Sequence, residues 1–202
     1  MRRLGRLTIL TLTLAGLSLL LGACSASVGT TDESSPGPKT YTNDQYGFTM
    51  TYDGQLEEGE STGGVSSGGS SVFGVAFADK SGPKVGGNYA NGMQISVYKL
   101  AREIKPAEVP KLKKEVSGVV KQIMASLPGA KIDQPLKELK VNGVPGFGFS
   151  YSYVQDDVTL KAVSFFLFNG QYEYQLTAQA ASEDWETVKG KLESAIQTFT
   201  IK

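Results

Sequence analysis

Every aromatic residue of the chain, nine Phe, nine Tyr and one Trp, lies at or after Tyr41. A stable core is built from large apolar side chains, so the folding unit must come from residues 41–202. The first 40 residues must serve another purpose. A length of 202 residues then reads as one domain behind a leader, not as two domains.

The leader has the order of an export signal. Arg2, Arg3 and Arg6 make a positive start, Thr8 to Leu21 an apolar run, and Gly22-Ala23 a small-residue exit. The run is 14 residues long and is interrupted by Thr11, Thr13, Gly16 and Ser18. That is short of the roughly 20 apolar residues a spanning helix needs. The residues after Arg2-Arg3 do not match a twin-arginine signal, so the general secretory route is expected.

Leu21-Gly22-Ala23-Cys24, at the end of this run, resembles the lipobox of bacterial lipoproteins. In that family the Cys thiol is linked to diacylglycerol, and the small residues before it admit the peptidase. The competing reading is an ordinary signal peptide with a chance cysteine. The single cysteine of the chain stands at this one position, which favours the lipobox. The resemblance implies that 1–23 is a lipoprotein signal peptide and Cys24 the lipidated N-terminus. The domain is then anchored in the cell membrane, facing the extracellular or periplasmic side. Each buried acyl methylene contributes about 0.8 kcal/mol, so two or three chains hold firmly. Residues 24–40 add small polar residues, two prolines and two glycines to that anchor, a composition that makes a disordered tether.

Composition removes several functions. Twenty Lys and Arg balance 20 Asp and Glu, and without the leader the balance is −3, so no basic excess points to nucleic acid. There is no histidine, which removes histidine-based triads and zinc sites. One cysteine excludes an intrachain disulfide and a CxxC pair. No cofactor and no metal site is expected.

From Tyr41 on, the dominant rhythm is alternation. Phe48, Met50 and Tyr52 share one face of a strand, as do Phe73, Val75 and Phe77, then Met93, Ile95 and Val97. Glu138 to Val141 reads as a short strand before the Asn142-Gly143 turn. The runs Phe147 to Tyr153, Val163 to Phe168 and Tyr172 to Leu176 are separated by Asp156-Asp157 and Asn169-Gly170, which reads as an antiparallel meander. Two segments change to helical period. The first places Val109, Leu112, Val116, Val119, Ile123 and Leu127 on one face, with lysines opposite and Pro128-Gly129 as a stop. The second has Ser182 as expected N-cap and a stripe of Trp185, Val188, Leu192, Ala195 and Ile196. Phe199 and Ile201 then form a closing strand. The fold class expected is α+β, an antiparallel β-sheet covered by helices.

Tyr46-Gly47-Phe48-Thr49-Met50-Thr51-Tyr52 is similar to the opening strand of the PsbP-like superfamily. So is the ending, Asn169-Gly170-Gln171-Tyr172-Glu173-Tyr174 followed by the Trp185 helix and Phe199-Thr200-Ile201. One departure is Asp53-Gly54-Gln55, where that family places Pro and Trp. The resemblance implies an α/β/α sandwich over 41–202 and a binding or assembly role, with no catalytic motif to carry over.

The remaining constellations each have two readings. The Gly-rich segments 59–71 and 79–92 do not fit a phosphate-binding loop, and both are expected to hold almost no core material. They read as surface loops able to touch a partner. The acidic groups Glu57, Glu58, Glu60 and Asp156-Asp157 lack calcium-loop spacing and read as a strand end and a turn. Phe147, Phe149, Tyr151 and Tyr153 could form a stacking platform. Core is preferred, with Gly148, Ser150 and Ser152 admitting a close neighbour. Ser117 and Lys121, an i,i+4 pair, read as helix surface and not as a Ser-Lys dyad.

The chain is therefore expected to be a non-enzymatic, membrane-anchored module for binding or assembling an envelope protein. A small-molecule or lipid binder with a pocket between sheet and helix is the alternative, and a hydrolase the third reading. In cells, Cys24→Ser is expected to abolish acyl labelling and leave precursor or soluble product. Labelling equal to wild type would remove the lipobox reading.

Overall fold

The computed structural model describes residues 36–60 and 70–202. Leu21, Gly22, Ala23 and Cys24, most of the tether, and residues 61–69 lie outside the described residues.

The alternating segments are strands: β1 (Lys39–Asn43), β2 (Phe48–Tyr52), β3 (Glu57–Glu60), β4 (Ser70–Ala78), β5 (Lys84–Val85), β6 (Asn88–Tyr89) and β7 (Gly92–Ile104). A 3-10 helix (Pro106–Leu112) leads into α1 (Lys113–Ser126). Then come β8 (Lys131–Val141), β9 (Val144–Gln155), β10 (Val158–Ala181), α2 (Trp185–Gln197) and β11 (Thr200–Ile201). The main sheet runs β3-β4-β7-β10-β9-β8, all antiparallel, and β1-β2-β11 form a second, smaller sheet.

β10 folds back on itself. Laid out straight, residues 13 apart would be about 40 Å from each other. Yet the Ser164 and Thr177 hydroxyls are 2.8 Å apart, and Ser182 N donates to Thr159 O at 2.8 Å. The reversal falls at Asn169-Gly170, where Gly170 takes φ +58. The first arm pairs with β9 and the second with β7, so the meander expected from the sequence is present. Asp156 and Asp157, at φ 47 and 62, and Asn142-Gly143, at 45 and 83, turn the two other hairpins. Positive φ at both central positions matches the right-handed twist of the flanking strands.

Alternation along the two arms supplies two cores. Val163, Phe165, Leu167, Tyr174, Leu176, Ala178 and Ala180 face one way, meeting β2 and the Trp185, Leu192, Ala195 and Ile196 stripe of α2. Leu160, Ala162, Phe166 and Phe168 face the other way with Phe147, Phe149, Tyr151 and Tyr153 of β9, under Val109, Val116, Val119 and Val120. The layer order is helix, sheet, helix, with the small sheet sharing the α2 layer. The protein is an α+β fold, an antiparallel sheet covered by helices.

Four expectations change in detail. β1 begins at Lys39, inside the segment read as tether, because Lys39 pairs with Tyr52. Ser182 is not the N-cap of α2. Asp184 holds that place, and its carboxylate accepts from Asn91 Nδ2 at 2.8 Å. β8 starts at Lys131 and not near Glu138. Most of this edge strand is exposed, and register shifts between Ile132 and Lys137 break its pattern. Segment 79–92 does contain core. It carries the β5–β6 hairpin, and Val85, Ala90 and Asn91 are buried.

Asn91 ties this hairpin to the sheet end, since its Oδ1 also accepts from Ala181 N at 3.0 Å. Asn91→Ala leaves a buried N–H without its acceptor, a loss of about 1–3 kcal/mol. Urea unfolding measures it. A change within a few tenths would show that the hairpin is held by other contacts.

Candidate functional site

The small-residue face of β9 has a neighbour that does not fill it. Odd-numbered β9 aromatics point to α1 and are buried, so they are core and offer no stacking platform. Phe149 stacks on Tyr151 at 4.9 Å and 13°, inside that core. On the reverse face, Gly148 and Ser150 line a groove of about 650 Å3 between α2 and the β8–β9–β10 end of the sheet.

The sequence makes this groove in three ways. At Gly148 a Cβ would meet Leu139 Cδ2 at 2.6 Å, so glycine is what lets Leu139 and Phe165 close over the floor. Val163 and Phe165 extend that floor, and both belong to the core under α2. On the helix side, Gly190 and Ser194 stand one turn apart and present almost no side chain, leaving open space where Leu or Lys would fill it. Lys137 and Lys140 on β8 and Glu193 on α2 complete the lining with charge. The result is an apolar trough with a polar edge.

A smaller cavity of about 40 Å3 lies on the other flank of α2, beside Asp53, Asp79 and Asn91. Its polar groups are already engaged, Asp79 by Ser81 N at 2.9 Å and Asp53 by Lys191. Lys191 Nζ is 3.0 Å from Asp53 and 3.1 Å from Gln55 Oε1. The Gln55 N–H and then Lys191 hold the Asp53 carboxyl below its ordinary range, against some burial. This is a brace between α2 and the β2–β3 turn.

A third feature lies on the α1 side. Glu173, Gln175, Thr177 and Gln179 alternate along the second arm of β10, beside Tyr98, Ser96 and Gln94 of β7. Glu173 is fully buried and Gln175 nearly so. Gln175 Nε2 donates to Glu173 Oε1 at 2.7 Å, and Tyr153 OH donates to Gln179 Oε1 at 3.0 Å. Gln94 Nε2 donates to Ser96 Oγ at 3.1 Å. Sequence reasoning misses this row, although the chain carries it as a strict polar-apolar alternation from Gln171 to Ala180. Such alternation ordinarily marks a wet face, so burial of Glu173 and Gln175 is not readable from pattern alone.

The other sequence candidates are dispersed. Glu57 pairs with Lys80, and Asp156 accepts from Gly86 N at 2.6 Å. Among the described residues no group of three or more Asp, Glu, His or Cys gathers as metal ligands would. Ser117 Oγ donates to Lys113 O at 2.6 Å within α1, and Lys121 is exposed to solvent.

No protein-family model and no curated protein matches this sequence. Solved structures share its fold. The solution structure of cyanobacterial PsbP (CyanoP) from Synechocystis sp. PCC 6803 is 13% identical, with a TM-score of 0.56. The match covers 86% of this chain and 98% of that one. A crystal structure from Bacteroides thetaiotaomicron VPI-5482 is 12% identical, with a TM-score of 0.53. It is matched over 83% of this chain and 49% of its own, so this chain spans about half its length. At such identities the likeness is one of fold. The domain shares the fold of the PsbP structure, an α+β sandwich, and has an open groove beside α2.

Burial also fixes a pH dependence. It raises the hydroxyl pKa of Tyr151 and Tyr153, and pushes Tyr174, beside Tyr172, up to about 12. In the unfolded chain these groups ionise near 10. The unfolded state therefore holds fewer protons above that pH. Stability from the neutral tyrosines is complete below about pH 9 and falls as pH rises through 10 toward the folded values. The urea midpoint is expected to drop between about pH 8 and pH 11, and Tyr174→Phe to flatten the drop. A flat profile in the wild type contradicts this account.

Proposed function

We propose that the chain is a lipid-anchored, exported and non-catalytic module that binds a partner protein of the envelope in the groove between α2 and β8–β10. The groove carries the reading. Its volume is in the range of specific binding sites, and its apolar floor with charged edges has the make-up of an interface centre and rim. Anchoring rests on the Leu21-Gly22-Ala23-Cys24 motif, and the binding role on the groove together with the PsbP-like fold.

The chemistry of the groove supports recognition over turnover. Its hydroxyls are Ser150 and Ser194, and among the described residues no hydrogen bond joins either to a base. Lys137, Lys140 and Glu193 stand at the edges, where water screens them. A second reading, binding of a small apolar molecule or lipid, is favoured by one observation: the floor of Leu139, Val163 and Phe165.

Gly190→Leu separates the groove from the fold. The position faces open space, and leucine is the better helix former, so stability is expected to hold or rise by up to about 1 kcal/mol. A photo-crosslinker at Ser194, in native membranes, should capture a partner that one at Gln171 does not. Gly190→Leu should abolish that adduct. An unchanged adduct moves the interface off the groove. If no protein is captured, but an apolar dye such as anilinonaphthalene sulfonate binds wild type and not Gly190→Leu, the second reading replaces the first.

A further inference from the structure

The charges of the folded unit are not evenly spread. Residues 105–131, the 3-10 helix, α1 and the start of β8, contain six lysines and two glutamates, a net +4. The other residues of 36–202 carry 11 basic and 16 acidic side chains, a net −5. All six lysines, Lys105, Lys111, Lys113, Lys114, Lys121 and Lys131, are exposed. Glu108 is already engaged, bonded to Lys105 N at 2.9 Å and to Arg102 at 3.1 Å. That leaves Glu115 as the acidic counterweight.

The arrangement on α1 is directional. Val116, Val119 and Val120 are buried against the sheet, and a helix turning 100° per residue puts Lys114 and Lys121 opposite them. Among the described residues no ion pair involves either lysine. At the C-terminal end of α1 the chain adds exposed apolar groups. Pro128 is exposed, Ile132 is 51% exposed and Val154 36% exposed, with Val154 N bonded to Pro128 O at 2.9 Å. Exposed cations beside projecting apolar side chains are what an anionic bilayer surface receives.

We propose that the α1 face is a docking surface for anionic membrane lipid, with Lys111, Lys114 and Lys121 over the headgroups and Pro128 and Ile132 at the acyl boundary. The proposal rests on the lipid-anchored reading for one point only, the reach of the tether. From Cys24 to Pro36 an extended chain covers about 40 Å. That exceeds the thickness of a domain of three layers, each about 10 Å. The α1 face can thus lie on the bilayer although β1, where the described chain begins, is on the α2 side. The groove is on the opposite face of the main sheet, so docking through α1 turns it outward.

Residues 34–202 form one compact unit holding both buried clusters, so the unit can be tested without Cys24. The probe is flotation with vesicles of phosphatidylcholine mixed with phosphatidylglycerol, against phosphatidylcholine alone. Binding is expected to the mixed vesicles, and to vanish near 1 M salt, where the screening length is about 3 Å. The variant Lys111→Gln/Lys114→Gln/Lys121→Gln should bind about 100-fold more weakly, at roughly fivefold per lysine. The charge-matched control Lys39→Gln/Lys189→Gln/Lys202→Gln should bind as wild type does. Far-UV circular dichroism checks that both variants are folded. Absence of binding to the mixed vesicles, equal binding to both kinds, or equal loss in both variants overturns the proposal. None of these outcomes bears on acyl labelling at Cys24, which tests the anchor separately.

Discussion

The domain depends on one strand arm of the main sheet, the first arm of β10, whose two faces are both apolar. From Leu160 to Phe168 the residues are Leu-Lys-Ala-Val-Ser-Phe-Phe-Leu-Phe. Alternate members of that run enter different cores. Water must be kept from both faces at once, and one covering layer cannot do it. The helices are thus consequences of the strand. α2 with the small sheet closes one side, and α1 with the 3-10 helix closes the other. The fold-back at Asn169-Gly170 doubles the effect, because the second arm brings Tyr174, Leu176 and Ala178 to the same core as Val163 and Phe165.

The layer of α2 and the small sheet covers the middle of the main sheet and leaves the β8 end partly open. That shortfall is the groove. A regularly paired edge strand would narrow it. Pro135 and the register shifts between Ile132 and Lys137 instead interrupt the regular pairing of β8. The same features blunt the edge against pairing with another chain. The cavity and the protected edge therefore have one cause.

How far the sequence revealed this depends on whether a feature is local. The Asp156-Asp157 and Asn169-Gly170 turns, the period of α1 and the Trp185 stripe were legible, because each is fixed by residues within a few positions. The groove was only half legible. Gly148 and Ser150 announced room for a neighbour, but Gly190 and Ser194 come some forty residues later, and nothing in the chain links the two sets before they pack. Segment 79–92 was misread because glycine content hid Val85 and Ala90, which join the α1-side core, and Asn91, which is held by distant Asp184 and Ala181. Ser182 looked like a cap by residue type, yet its N–H closes the β10 hairpin on Thr159, leaving Asp184 to begin the helix.

The two faces of the sheet also divide the chemistry that reaches the surface. Over α1 the exterior is cationic, with its apolar groups at the helix end. Beside α2 it is concave, with an apolar floor and both signs of charge at the edges. A cationic face of exposed lysines suits a broad anionic plane, where many weak contacts add and fine shape matters little. A concave apolar trough suits one occupant of definite shape, since most of its gain comes from the centre and not the rim. Because the sheet between them is packed on both sides, neither surface can shift much without disturbing the other core. On the two proposals, a sheet packed on both sides would set the groove and its occupant away from a bilayer docked at α1.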